Sequence, residues 1–421
     1  MADIVIRGGV VVDGTGAAPF EADVAMAGGR ITAIGQVPER GATEIDAHGK
    51  LVTPGFVDIH THYDGQAVWD SHLAPSAWHG VTTAVMGNCG VGFAPCRAAD
   101  RDKLIELMEG VEDIPGPILH EGLKWSWESF PEYLDALAAR PRDMDICALL
   151  PHGAVRVHVM GERALNLENA NQADIAAMRA ITADAVRAGA FGVSTSRTIS
   201  HKTLKGDPTP TLRAQEDELR GLAQGLRDGG GGLLELVSDW NTPDPATEFA
   251  MVRRVVEATG QPVVFSLTAR HDRTEAWKEL LALSDGAAAS GLPIRPVFPP
   301  RPIGILLGLE GSQNPFSGCV SYKEIAHLPA ADRALRGLAR SYQISSAFPE
   351  FTVLESVALA KQAHGSHSFG AWRALLKRTH LVDAAEYAIA KAGLRHRISQ
   401  RVSELAHGER RQLELAMVLV S

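Results

Sequence analysis

Seven short apolar runs recur along the first 300 residues, each followed by a longer helix-compatible segment: residues 56–62, 82–88, 146–152, 190–196, 233–239, 263–269 and 294–300. Runs of this kind fit strands buried on both faces, and helical crossovers between them imply a parallel sheet. Seven such units predict an α/β fold of the (β/α) TIM-barrel type, in which functional side chains sit at strand C-terminal ends. Before them, residues 3 to 55 alternate β-branched runs (Ile4-Val5-Ile6, Val10-Val11-Val12, Ile31-Thr32-Ala33-Ile34) with Gly8-Gly9, Asp13-Gly14 and Gly28-Gly29. That alternation predicts a small antiparallel β unit closed by turns.

The first barrel run ends Phe56-Val57-Asp58-Ile59-His60-Thr61-His62. Residues i and i+2 of a strand point to the same face, so His60 and His62 can reach one cation held about 2.0 Å from each ring nitrogen. Two satisfied strand histidines would carry the same spacing. Cys89 and His152 also fall at predicted strand ends.

Composition removes several alternatives. The net charge of −9 gives no support for a nucleic-acid partner, which would call for a basic surface. No apolar run approaches the roughly 18 residues needed to span a bilayer, and the N-terminus lacks the basic start and apolar core of a signal peptide. The four cysteines, Cys89, Cys96, Cys147 and Cys319, are too few and scattered for a disulfide framework, so a reducing cytoplasm is the expected location.

The N-terminal β unit, the Asp13-Gly14-Thr15-Gly16 turn, the Pro54-to-His62 segment, Gly87-Asn88-Cys89-Gly90 and Arg301-Pro302-Ile303-Gly304 together resemble the D-aminoacylase (N-acyl-D-amino-acid deacylase) branch of the amidohydrolase superfamily. The resemblance covers residues 1 to 336 and implies a zinc-dependent hydrolase acting on the amide of a small N-acyl amino acid. It places His60, His62 and Cys89 in the metal site, although a free cysteine also serves as a small buried hydrophobe. Zinc suits the chemistry, since it lowers the pKa of a water to about 7 and polarises a carbonyl. The fourth run, Phe191 to Arg197, holds no lysine to bridge two metals, which agrees with a bridging cysteine.

Two departures follow from the resemblance. The family places metal-binding histidines at the ends of strands five and six, where Val237 and Leu267 stand here. A slip of one or two residues brings in Glu235, Asp239 or His271, of which Asp239 is the preferred substitute. The aspartate that serves as general base after strand eight has no candidate, so the catalytic residue is unassigned and the barrel is expected to be incomplete, at about seven strands. Loss of such a group costs roughly 10² to 10⁴ in rate. For substrate binding, the resemblance points to the loop of His152 and Arg156, whose planar fork suits a carboxylate. Ser194, with Thr195 and Ser196, suits either hydrogen bonding to substrate or a strand-to-helix cap.

From Gly337 onward the character changes, with 11 Lys and Arg against 7 Asp and Glu and a mostly helical pattern, including Glu404 to Leu419. Gly337 to Val357 resembles the Q-loop region of an ABC transporter ATPase of the branched-chain amino-acid uptake type, and Leu405 to Met417 resembles its signature motif. The resemblance implies that Gln343 contacts magnesium and the attacking water, and that Gly408 presents its backbone to ATP held by a partner subunit. Ala406 replaces the signature serine, and no phosphate loop is present: Gly49-Lys50 is the nearest echo, with Glu44 where the first glycine belongs. No ATP binding by this chain alone is expected, and transporter subunits are partners only if this segment functions. The expected organisation is therefore 1–55, a β unit; 56–336, an incomplete barrel; and 337–421, an ABC ATPase fragment. A catalytically silent fusion of two incomplete genes is the remaining reading.

Overall fold

The computed structural model describes residues 1–240, 244–269, 274–299, 314, 316, 319–338, 348–363 and 375–420. By its internal contacts the chain forms two compact units, Met1–Gly304 and Ile305–Ser421.

The first unit opens with five strands, β1 (Ala2–Val11), β2 (Phe20–Ala27), β3 (Arg30–Gly35), β4 (Gly41–Asp46) and β5 (Leu51–Val52), ordered β3-β2-β1-β4 with β5 also on β1. Gly28 and Gly29, at φ +57° and +72°, make the two-residue hairpin between β2 and β3. The sheet is mixed rather than antiparallel, because β4 and β5 return parallel to β1. Gly8-Gly9 is also a bulge inside β1 and not a turn. The register shifts between Ile6 and Gly9, Gly8 sits at φ +61°, and its amide donates to Asp23 at 2.9 Å. The runs around Ile4 and Val10 thus belong to one strand.

Seven parallel strands follow in chain order: β6 (Phe56–Asp58), β7 (Val81–Met86), β8 (Asp145–Pro151), β9 (Gly192–Arg197), β10 (Leu233–Ser238), β11 (Val263–Ser266) and β12 (Ile294–Val297). Each lies within or within one residue of a predicted run. The connecting helices bury their apolar stripes: in Glu216–Gly229, Leu219, Leu222, Ala223 and Leu226 recur at helical spacing and are all buried. Helix starts are fixed by polar caps, with Ser129 and Glu132 forming a reciprocal box, as do Asn171 and Asp174. The sheet is a curled half-barrel, and β6 and β12 each pair on one side only among the described residues. Its concave face carries Val57, Val85, Leu149, Leu233, Glu235 and Phe265 around a cavity of about 400 Å³.

The second unit is helical apart from a single bridge, Thr352 to Arg401, among its described residues. Val353–Ala363, Thr379–Lys391 and His407–Val420 pack through Val353, Val357, Ile389, Leu413 and Ala416. Thr352 and Glu355 box the first of these helices. No helix among the described residues of either unit is long and apolar enough to cross a membrane.

Candidate metal centre

β6 ends at Asp58, so His60 and His62 stand just beyond the strand and not on it. The pairing with β7 nevertheless continues for one more rung. Both the amide and the hydroxyl of Thr61 donate to the Val85 carbonyl, at 2.9 and 2.8 Å. With Thr61 held towards β7, the flanking imidazoles share a side, their ring centres 5.4 Å apart.

Cys89 reaches them from the turn after β7. Its backbone is left-handed, φ +58°, a conformation that costs a non-glycine residue of order 1–3 kcal/mol and persists only when the surroundings enforce it. Here they do. The Gly87 amide donates to Asp64 at 3.1 Å, and the Ser194 hydroxyl donates to the Gly87 carbonyl while accepting from the Gly90 amide at 3.0 Å. The Cys89 amide donates to Glu235 at 3.1 Å, and Asn88 reaches the carbonyls of Thr61 and Val85. Gly87 lies at φ +82°, where a Cβ would meet the Leu149 carbonyl oxygen at 2.3 Å. The result places Sγ of Cys89 at 3.3 Å from Nε2 of His60, and one donor atom each from His60, His62 and Cys89 within 4.8 Å of one another.

Buried acids surround this group. Glu112, at the end of helix Arg101–Glu112, lies 3.3 Å from Nε2 of His62. Burial pushes the carboxyls of Glu112 and Glu235 up to about 8 and that of Asp64 up to about 7. Burial also holds the imidazoles of His60 and His62 below their ordinary value, and raises the Cys89 thiol, with Glu235, Glu112 and Asp64 adding to the rise. His201, from the loop after β9, is pushed down to about 4 by burial and by His60, and its Nδ1 meets the Ser196 hydroxyl at 2.9 Å. Among the described residues, burial and not a Lys or Arg partner sets the state of these carboxyls. Two imidazole nitrogens and a thiolate are ligands zinc accepts, and Nδ1 of His62 and Oε1 of Glu235 are buried without hydrogen-bond partners, so the residues fit a divalent metal.

The other sequence candidates have different surroundings. Asp239 is not in the donor group, and its Oδ1 is buried and unpartnered; the strand-five acid that touches the cysteine turn is Glu235, two pleats deeper. Val237 and Leu267 offer no donor, and His271 lies outside the described residues. His152 and Arg156 do not form a loop site: both are fully buried at the start of helix His152–Met160. Arg156 donates to Glu218 at 2.6 Å and to the carbonyls of Pro210 and Glu168, while His152 bridges Thr195 at 2.8 Å and Glu218 at 2.9 Å. Their polar atoms are committed to the protein, so the fork of Arg156 is a buried strut. Ser194 is the clamp of the cysteine turn. Gln343 lies outside the described residues, and Gly408 sits exposed in the first turn of His407–Val420. Glu112 and His201 had no sequence signal, since one ends an ordinary amphipathic helix and the other sits in a long loop.

Residues 43–376 match the family model described as "Amidohydrolase family". The chain belongs to the amidohydrolase family. The match crosses Gly337, where the sequence changes character. An N-acyl-D-aspartate deacylase of Alcaligenes xylosoxydans xylosoxydans is 34% identical over 233 residues, 55% of this amidohydrolase and 42% of that protein. A D-aminoacylase of the same organism is 34% identical over 194 residues, 46% and 37% of the two chains. The matched stretch therefore spans about two fifths of either relative. Among solved structures, a D-aminoacylase described with a binuclear metal centre superposes with TM-score 0.59 at 29% identity, covering 72% of this chain and 59% of that one. An N-acyl-D-glutamate deacylase from Bordetella bronchiseptica, complexed with zinc and a phosphonate mimic of the tetrahedral intermediate, gives 0.59 at 27% identity with the same coverage.

Proposed function

We propose that the chain is the metal-binding part of an N-acyl-D-amino-acid deacylase, hydrolysing a non-peptide amide with zinc held by His60, His62 and Cys89. The observation that carries this reading is the convergence of those three donors at the ends of β6 and β7. The names of the relatives support the substrate class. Zinc, when bound, would supply Lewis-acid polarisation of the amide carbonyl and acidification of a water. The chain's own residues build the seat: Thr61 aligns the imidazoles, while Asp64, Ser194 and Glu235 hold the cysteine turn. The test is zinc content of the purified protein together with release of free amino acid from N-acyl-D-aspartate and N-acyl-D-glutamate. Absence of both metal and turnover rejects the reading.

A cytoplasmic location is part of the same proposal, resting on four cysteines scattered at 89, 96, 147 and 319. The ABC-type reading of 337–421 rests on the two sequence motifs and on a helical core separate from that of the first unit. It is tested by nucleotide titration: this chain alone is expected to bind no ATP at millimolar concentration, because the phosphate loop is missing.

A further inference from the structure

Ser194, Thr195 and Ser196 alternate across β9, and their partners show which face is which. Thr195 turns to the helix side and meets Nδ1 of His152 at 2.8 Å, whereas Ser194 turns inward and clamps the cysteine turn. Ser196 therefore shares the inner face with Ser194, one residue from the C-terminal end of the strand. A Cβ on Gly90 would lie 3.0 Å from the Ser196 amide nitrogen, so the turn that carries Cys89 packs directly on this residue. His201 hangs from Ser196, Nδ1 to Oγ at 2.9 Å. The chain just beyond it is pressed onto helix Arg101–Glu112, where Gly110 leaves no room for a Cβ beside the Lys202 carbonyl. That helix ends at Glu112, next to His62. His201 is thus held between the cysteine turn and Glu112, close enough for its charge to act on both His60 and His62.

The hydrogen bond also fixes the tautomer. The Ser196 side chain is fully buried, and Nδ1 of His201 is the only partner of its hydroxyl among the described residues. A buried hydroxyl proton without an acceptor is costly, so Ser196 donates and Nδ1 accepts. The ring's hydrogen then sits on Nε2, at the edge turned away from Ser196. Burial and the neighbouring His60 keep the ring uncharged at neutral pH, and a neutral imidazole is a competent donor to a carbonyl.

We propose that His201 is a catalytic residue of the deacylase centre: its Nε2–H donates to the amide oxygen that becomes an oxyanion when water adds, and Ser196 positions the ring. The proton stays on His201 throughout. This rests on the reading of the chain as an N-acyl-D-amino-acid deacylase, and it supplies that reading with a donor for the developing negative charge.

The test uses the full chain loaded with zinc, titrated by calorimetry with phosphonate analogues of N-acetyl-D-aspartate and N-acetyl-D-glutamate, whose phosphonate oxygen stands in for that oxyanion. His201→Ala is expected to take up zinc as the wild type does, to bind the phosphonate roughly 10- to 100-fold more weakly, and to lose about 10²- to 10³-fold in kcat with a much smaller change in KM. His201→Gln, which keeps an N–H donor, should recover part of both losses, and His201→Phe, which keeps only the bulk of a ring, should recover neither. In metal-free protein, nitrogen NMR should show His201 as the Nε2–H tautomer, and Ser196→Ala should mix in the other. Unchanged phosphonate affinity in His201→Ala, equal recovery by His201→Phe and His201→Gln, or an Nδ1–H tautomer in the wild type overturns the assignment. Wild-type protein that binds neither phosphonate rejects the deacylase reading itself, which separates the two failures.

Discussion

Nε2 of His60 lies 3.3 Å from Sγ of Cys89 across 29 residues of chain, a contact set by two strand ends and one strained turn. Neither residue could be moved by a small backbone adjustment without disturbing β6 or β7, so the pair reports on the integrity of the whole seat.

The strain in that turn is measurable by itself. Cys89→Gly and Cys89→Ala both remove the sulfur, but only glycine accepts φ +58° without a steric cost. In metal-free protein, Cys89→Gly is expected to be more stable than Cys89→Ala by about 1–2 kcal/mol, measured by urea unfolding. Equal midpoints would show that the turn relaxes when the sulfur is gone.

Gly87→Ala adds a Cβ where the Leu149 carbonyl oxygen stands 2.3 Å away, at φ +82°. The neighbour is backbone and cannot swing aside. A loss of about 2 kcal/mol or more is expected from positive φ and clash together, with weaker zinc uptake. Normal zinc binding and stability in this variant would contradict the geometry of the clamp.

The buried Glu218 set contributes to acid stability. Burial pushes the Glu218 carboxyl up, but hydrogen bonds and charge from His152 and Arg156 outweigh it and hold the group below its usual value. Burial holds His152 below its ordinary value despite Glu218. A depressed histidine resists protonation in the folded chain, so stability begins to fall as pH drops below the unfolded value of about 6.5. A depressed carboxylate contributes stability above its unfolded value of about 4.3, and that is lost as pH falls through the lower folded value. Urea midpoints should therefore decline in two stages on acidification. Glu218→Ala should cost about 3–5 kcal/mol at neutral pH by stranding the Arg156 charge. A pH profile unchanged by Glu218→Gln would remove this network from the account.

Metal uptake should depend on pH in the opposite region. The Cys89 thiol is raised and the two imidazoles are lowered, so near neutrality the free site holds the thiol proton while both rings are ready as ligands. Binding then releases at least one proton, and affinity should rise about tenfold or more per pH unit near neutrality. Proton release measured by calorimetry in buffers of different ionisation enthalpy checks this. Chelation should lower the melting temperature, with the bound metal contributing about 2.7 kcal/mol at a free concentration 100 times Kd.

The sequence exposed the barrel rhythm because strands buried on both faces leave unbroken apolar runs, and all seven runs became neighbours in one sheet. Gly8-Gly9 misled because a glycine pair serves a bulge as readily as a turn. Arg156 misled in another way, since a cation in a loop-like motif reads as solvent-facing, and its burial rests on partners far along the chain, Glu218 and the carbonyls of Pro210 and Glu168. The histidine pair was legible from local spacing. Glu112 and His201 were not, because their relation to it exists only after a helix end and a long loop have been folded over the strands.

Cys89 and Glu235 are 146 positions apart, yet their hydrogen bond is part of the clamp on the cysteine turn. Closing so long a loop brings β7 and β10 together across β8 and β9. During synthesis, then, the finished seat cannot exist until β10 has left the ribosome, and a nascent chain arrested before that point should emerge with its histidines and cysteine present but not yet gathered.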